Sequence, residues 1–346
     1  MKPFITLDQV KKRKVDARSR FYSASHDEID EGLTADVYFV RTQEILEAKG
    51  YGDVAVTAEI FASREGVLAG VEEACYLLRQ RDLEIWHIPE GERIAAGEVV
   101  MRLRGLYRSF GILETALLGI LASSSGWATA ARECKEAAQG QPVYCFRARH
   151  LHPAVASVMD RAAVIGGADG CSSILGALLL GASPVGTVPH AAFLIVEDTV
   201  EMARAYHELM PPETPRIILV DTFKDEAEEA LRVAEALKSD LQGIRLDTPG
   251  ERGGVTPGLV REVRARLNQA GYPGVKIMVS GGLDPERISA LAAAGADSFG
   301  VGSYIARAPA IDMTMDLKEI QGRPIAKRGR IPGIAENPRL VKSSRA

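Results

Sequence analysis

The sequence predicts an α/β protein: an irregular or incomplete parallel βα barrel of six to seven strands, carrying an N-terminal α/β domain. Three observations lead there. Past Gln141-Pro142, short apolar runs alternate with helical segments, at Val143–Phe146, Ala168–Cys171, Pro184–Val188, Ile217–Asp221, Gly243–Asp247, Lys276–Ser280 and Ser298–Val301. Alternation of this kind, with only short turns, is the pattern of a parallel sheet joined by crossover helices. Ahead of it, short runs separated by Pro/Gly turns read as a small antiparallel sheet covered by helices. Length is the third: 346 residues exceed one barrel, and the barrel stretch of roughly 200 residues is short for eight strands.

Taken in order, residues 1–33 are charge-rich, with Lys11, Lys12, Arg13, Lys14, Arg18 and Arg20 close together, either a solvated face or an anion-binding arm. A helix is expected from the N-cap Thr34 to Gly50, with Val37, Ile45 and Leu46 turned inward and Tyr38 adjoining them. Val54–Phe61 and Glu84–Ile88 read as strands, and Gly66–Arg79 as a helix. Phe110–Ala122 and Ser125–Ala138 read as two further helices. A boundary near Gly105–Gly111 gives an N-terminal domain of residues 1–110, joined by the tail 308–346, and a catalytic barrel of residues 111–307. In the tail, Met313–Ile320 is a candidate strand, and Lys327-Arg328-Gly329-Arg330 is a basic cluster open to a solvated or a site role.

Composition narrows the function classes. Hydrophobic residues at 46% and charged residues at 25% are ordinary globular values. A net charge of -4 argues against nucleic acid as a partner. Cys75, Cys134, Cys145 and Cys171 stand singly, which points away from zinc sites and disulfide frameworks. With no signal-like or membrane-spanning apolar run, the expectation is a soluble cytoplasmic protein.

In a βα barrel the chemistry gathers where strands end. The first strand runs into Phe146-Arg147-Ala148-Arg149-His150-Leu151-His152, a dense cationic cluster suited to phosphate or carboxylate. The second offers Asp169, Ser172 and Ser173, and the third Thr187 and His190. Asp221 and Asp247 end the next two strands and could hold ribose hydroxyls or Mg²⁺; Asp221 is also open to a helix-capping reading. On the last two strands Ser280-Gly281-Gly282 and Gly300-Val301-Gly302-Ser303 form the best candidate phosphate clamp, because glycine lets bare N–H groups approach an anion. His190, alone after a proline, could equally be a packed residue.

As a set, FRARHLHP, ADGCSSILGA, GTVPHA, VDTF, RLDT, VSGGLD and FGVGS resemble nicotinate phosphoribosyltransferase, most of all its shorter archaeal and bacterial forms. The resemblance spans Arg18 to Gly333 and is sharpest from Phe146 to Ser303. It implies transfer of a phosphoribosyl group from phosphoribosyl pyrophosphate to nicotinate in NAD biosynthesis, with Mg²⁺ and with ATP as co-substrate. It further implies that Phe146 stacks on the pyridine ring and that Tyr38 reaches the ring from the partner subunit of a homodimer or higher homo-oligomer. Arg149, with Arg147 and His150 beside it, would bind anionic groups, and Asp169 and Ser172 would lie near the base. Asp221 and Asp247 would hold ribose or its magnesium. Gly281, Gly282, Gly300 and Gly302 would cradle the 5′-phosphate, and His190 would be the residue that ATP phosphorylates. A cysteine cluster carried near the C-terminus by some relatives is missing here.

Rival readings are quinolinate phosphoribosyltransferase, which needs cations for a second carboxylate and releases CO2, a phosphate-binding barrel isomerase or synthase, and a non-catalytic metabolite-binding barrel.

Overall fold

A computed structural model describes residues 6–344 apart from 17, 19 and 147. The chain divides into two compact units, one from Ala130 to Ala308, the other combining the chain up to Thr129 with the segment from Pro309. The division falls inside a single helix, Glu114–Ala137, well past the boundary expected at Gly105–Gly111. The two helices expected there are thus one: Ser123-Ser124-Ser125-Gly126 continues the helix, because Ser124 and Ser125 are buried and held by tertiary packing.

The unit containing the N-terminal segment is built on a six-stranded antiparallel sheet. Its order is Arg323–Pro324, Met313–Ile320, Ala55–Ala62, Val99–Leu106, Leu83–His87, Val341–Lys342. Ala58, Ile60 and Ala62 alternate into an apolar core with Met101, Leu103, Leu78 and Leu117. On the other face Glu59 is buried beneath the returning C-terminal segment, accepting hydrogen bonds from Arg102 and from the Ala335 N–H. The basic cluster is occupied in the same way: Lys327 and Arg330 both pair with the buried Asp316 carboxylate. The helix Val37–Ala48 buries Phe39 and Val40, whereas Val37 and Ile45, expected inside, are 43% and 60% exposed. Its apolar residues occupy both faces, so periodicity alone selected the wrong one.

Elements of the second unit are numbered here in order: β1 Val143–Cys145, α1 Pro153–Gly166, β2 Gly170–Cys171, α2 Ile174–Leu179, α3 His190–Val196, α4 Thr199–Leu209, β3 Ile217–Leu219, α5 Glu226–Leu237, β4 Gly243–Leu246, α6 Pro257–Gln269, β5 Lys276–Ser280, α7 Pro285–Ala293, β6 Ser298–Val301. All neighbouring strands are parallel, in the order β2-β1-β6-β5-β4-β3. That is the cyclic order of a βα barrel, open between β2 and β3.

The opening is where Pro184–Val188 was expected as a strand. The segment is irregular and contributes one backbone bond to the neighbouring strand, Val185 N–H to Cys171 O. Pro184 and Pro189 cannot donate to a ladder, and Gly186 weakens a strand from inside. Among the described residues, no helix is long and apolar enough to cross a membrane, and all four cysteines are free and buried.

Candidate functional site

The parallel register brings the strand ends together. Cys145 lies opposite Cys171, Leu246 opposite Val279, and Ser280 opposite Gly300, so the residues that follow each strand surround one mouth. There a cleft of about 380 Å³ is lined by Phe146, Arg149, Ser172, Ser173, Gly186, Thr187, Pro189, His190, Arg245 and Asp247.

One half of this cleft is tightly bonded. The guanidinium of Arg245 donates to Ser280 Oγ at 2.9 Å, to Thr187 Oγ1 at 2.9 Å and to Asp247 Oδ2 at 3.1 Å. It also lies 5.5 Å from the centroid of the Phe146 ring, a cation–π distance. Ser280 Oγ donates in turn to Asp247 Oδ1 at 2.9 Å. Arg245 and Asp247 are two residues apart on β4 and its end, so they share a face, while Ile244 and Leu246 are buried on the other. Sequence reading missed Arg245. The available signal was a lone arginine inside an apolar strand, in phase with a strand-end aspartate.

Asp221 supports this network from below, its side chain 1% exposed. Oδ2 accepts the Asp247 N–H at 2.7 Å and Oδ1 accepts from His190 Nε2 at 3.1 Å. Burial raises its carboxyl above the ordinary range; His190 and the Asp247 N–H oppose that shift, and the Asp247 carboxylate adds to it. The capping alternative for Asp221 is excluded, since Asp225 caps α5 through the Ala227 N–H. Asp221 and Asp247 are both engaged by protein donors. Among the described residues no group of three or more His, Cys, Asp or Glu could hold a metal ion.

The glycines divide by role. Gly281 and Gly282 have φ of +96° and +60°, a conformation open to glycine, and a Cβ on Gly281 would lie 3.1 Å from Asp247 Oδ1. Their turn precedes α7, whose N-cap Asp284 accepts the Arg287 N–H. Gly300 lies against the ring, for a Cβ there would stand 2.4 Å from Phe146 Cδ2. Gly302 and Ser303 open the short helix Ser303–Ala306 after β6.

Two expected site residues, Asp169 and His150, fall elsewhere. Asp169 sits at the N-terminal end of the barrel, where its Oδ2 accepts the Val143 N–H and pairs with Lys135. β2 has only two residues, so its C-terminal end is reached at Ser172 and Asp169 precedes it. His150 is exposed in the turn Ala148–His150 and does not line the cleft. Tyr38, expected to act in the partner subunit's site, belongs to the other unit of this chain and is 53% exposed. Arg147 lies outside the described residues.

Comparison with known proteins adds the following. The family models for the quinolinate phosphoribosyl transferase N-terminal and C-terminal domains match residues 36–125 and 127–316. The crystal structure of nicotinate-nucleotide pyrophosphorylase from Pyrococcus furiosus is 47% identical, superposes with a TM-score of 0.87, and shares 91% of this chain and 82% of its own. A probable nicotinate-nucleotide pyrophosphorylase (carboxylating) from Methanothermobacter thermautotrophicus is 26% identical over 85% of this chain and 99% of its own length. The nicotinate phosphoribosyltransferase pncB1 of Mycobacterium tuberculosis is 30% identical over 86% of this chain and 74% of its own.

Proposed function

The chain belongs to the quinolinate phosphoribosyl transferase family, and from that premise we propose that it transfers a phosphoribosyl group to quinolinate, releasing pyrophosphate and CO2. This corrects the nicotinate-specific, ATP-coupled reading of the sequence motifs. Both family models, the 47%-identical structure and the carboxylating archaeal relative point to the quinolinate enzyme. Nicotinate as acceptor, ATP as co-substrate with its phosphohistidine at His190, and the ligase class fall with that reading, and no magnesium is carried forward. The motifs misled because they report a phosphate-binding barrel and a pyridine site, which both activities need.

One observation supports the acceptor best: two guanidinium groups, Arg149 and Arg245, line the same cleft as the Phe146 ring. A pyridine with carboxylates at neighbouring carbons presents two anions on one edge of a flat ring. Arg149 matches a carboxylate through paired N–H donors, Arg245 adds positive charge beside it, and the phenyl face takes the ring.

In this reading the pyridine nitrogen attacks the ribose carbon that bears pyrophosphate, forming the C–N bond as the C–O bond breaks. Positive charge grows on the ribose ring, and the Asp221–Asp247 carboxylates stabilise it. The backbone of Gly281-Gly282 holds the 5′-phosphate. The nitrogen is then a cation, so the bond from the adjacent ring carbon to its carboxylate breaks with the electron pair left on carbon. CO2 departs and that carbon takes up a proton. His190, held by Asp221, keeps the carboxylate and the Asp247 backbone in place.

The test is an assay with phosphoribosyl pyrophosphate and either carboxyl-labelled quinolinate or nicotinate. Labelled CO2, pyrophosphate and mononucleotide in equal amounts from quinolinate are expected. Mononucleotide from nicotinate alone would overturn the proposal.

A further inference from the structure

Beside the cleft, a single carboxylate that takes no part in the chemistry above contacts three of the segments that shape it. Asp160 lies midway along α1 and is fully buried. Its Oδ2 accepts the Ser173 N–H at 3.3 Å, and Ser173 Oγ in turn accepts the Gly176 N–H at 3.2 Å, closing the first turn of α2. Position 176 has no side chain to spare: a Cβ there would stand 2.7 Å from Asp160 Cβ and 3.1 Å from Asp160 Oδ2.

The strand ends lie close to the same carboxylate. Burial, and after it Asp160, opposes ionisation of the Cys145 thiol at the end of β1. The same two causes push the Cys171 thiol at the end of β2 up to about 11. Ser172 N–H closes the arrangement on the Cys145 carbonyl at 3.1 Å. The Cys145 thiol also shares a hydrogen bond with the Asp160 carboxyl.

A fully buried carboxylate is costly, and its place is more cheaply filled by an apolar residue unless it serves a purpose. Ser172 and Ser173 both line the substrate cleft, and Ser173 also lines a neighbouring cavity of about 440 Å³ that it shares with Arg149 and Ser157. We infer that Asp160 is a positioning residue: it fixes the Ser172-Ser173 turn as the wall against which the pyridine acceptor is held, opposite the Arg245 network. The kinetic part of this inference rests on the acceptor reading of the cleft proposed above.

Two readouts test it. Amide exchange followed over residues 170–180 should quicken at least tenfold in Asp160→Ala relative to the strands β4 to β6, and stay near wild type in Asp160→Asn, whose amide oxygen still accepts the Ser173 N–H. In steady-state assays Asp160→Ala should raise KM for the pyridine acceptor about tenfold, with KM for phosphoribosyl pyrophosphate and kcat within threefold. Gly176→Ala, which crowds the carboxylate while leaving it in place, should raise the acceptor KM in the same selective way.

Unchanged exchange over 170–180 would overturn the assignment, as would an equal rise in both KM values. Damage in Asp160→Asn equal to that in Asp160→Ala would also overturn it, since hydrogen bonding would not be the cause. Should wild type turn over no pyridine carboxylate, the proposed function falls, and the exchange experiment by itself still decides whether Asp160 holds the turn.

Discussion

At the N-terminal end of the barrel, Asp169 and Asp297 accept the backbone N–H groups of Val143 and Ile277 and pair with Lys135, Lys276 and Arg264. At the C-terminal end, Asp221 accepts the Asp247 N–H and bonds His190, while Asp247 pairs with Arg245 and Ser280. Both ends therefore join a carboxylate to a basic group, and the two differ in what surrounds them. The lower cations are lysine and arginine side chains reaching in from helices or strand starts, and none of them lines the cleft. The upper ones converge on the cleft that contains Phe146, Thr187 and Arg149. An ion pair becomes a candidate catalytic group through its position at a strand end and through its neighbours, not through its strength.

The largest separation between the two ends should come from activity. Arg245→Ala and Asp247→Ala are each expected to lower kcat/KM by about 10²–10³, the usual cost of one preorganised electrostatic group. Asp169→Ala should leave it within threefold. Comparable losses at both ends, measured on folded protein, would break the distinction. Arg245→Lys should recover little, because one ammonium cannot satisfy three acceptors arranged for a planar fork.

Next in size is Gly300→Ala. The added methyl would overlap Phe146 by more than any side chain tolerates, so the ring must shift. Acceptor KM is expected to rise about 10-fold, with phosphoribosyl pyrophosphate binding little affected, since ring contacts contribute about 1–3 kcal/mol. If the donor KM changes instead, Gly300 belongs to the phosphate clamp, as the sequence first indicated.

The contrast also shows what could be read from sequence. Phe146, Arg149, Ser172, Thr187, His190 and Asp247, which line the cleft, were singled out because each ends or follows an expected apolar run, and strand ends face the mouth. Asp169 was misplaced by the same rule, because a strand of two residues does not reveal which side of it a neighbour occupies. Arg245 was missed because it lies within a run and was counted as part of the strand. Pro184–Val188 has the composition of an apolar run and lacks the N–H groups to pair as one. Acceptor identity was hidden for another reason: quinolinate and nicotinate differ by one carboxylate, and the cation that meets it needs only to be near in space.

At the lower end the expected effect is on stability. Asp297→Ala strips the backbone N–H of the buried Ile277 of its acceptor and leaves Arg264 and Lys276 without their carboxylate. The cost should be about 1–3 kcal/mol in urea unfolding, with kcat/KM per folded molecule unchanged. Lost activity without lost stability would move Asp297 into the site.

Glu114 gives the smallest effect, and it lies away from both barrel ends. It lies in the unit that carries the antiparallel sheet, in the first turn of the helix Glu114–Ala137, and its carboxyl has no hydrogen-bond donor among the described residues. Burial, and then the charge of Asp316, push that carboxyl from its ordinary 4.5 up to about 7, with Lys327 opposing. A rise of this size is worth about 3 kcal/mol at ~1.4 kcal/mol per unit, reduced to about 1–2 kcal/mol by solvent reaching the partly exposed group. Because the folded value is the higher one, the protonated acid favours folding. Its contribution is full below the unfolded value near 4.5 and is lost as pH rises through about 7. Glu114→Gln cannot titrate. Urea unfolding of wild type and variant at pH 4.5 and pH 8 should therefore show wild type losing about 1–2 kcal/mol relative to the variant across that range. A difference that stays constant with pH would mean the carboxyl is already ionised in the fold.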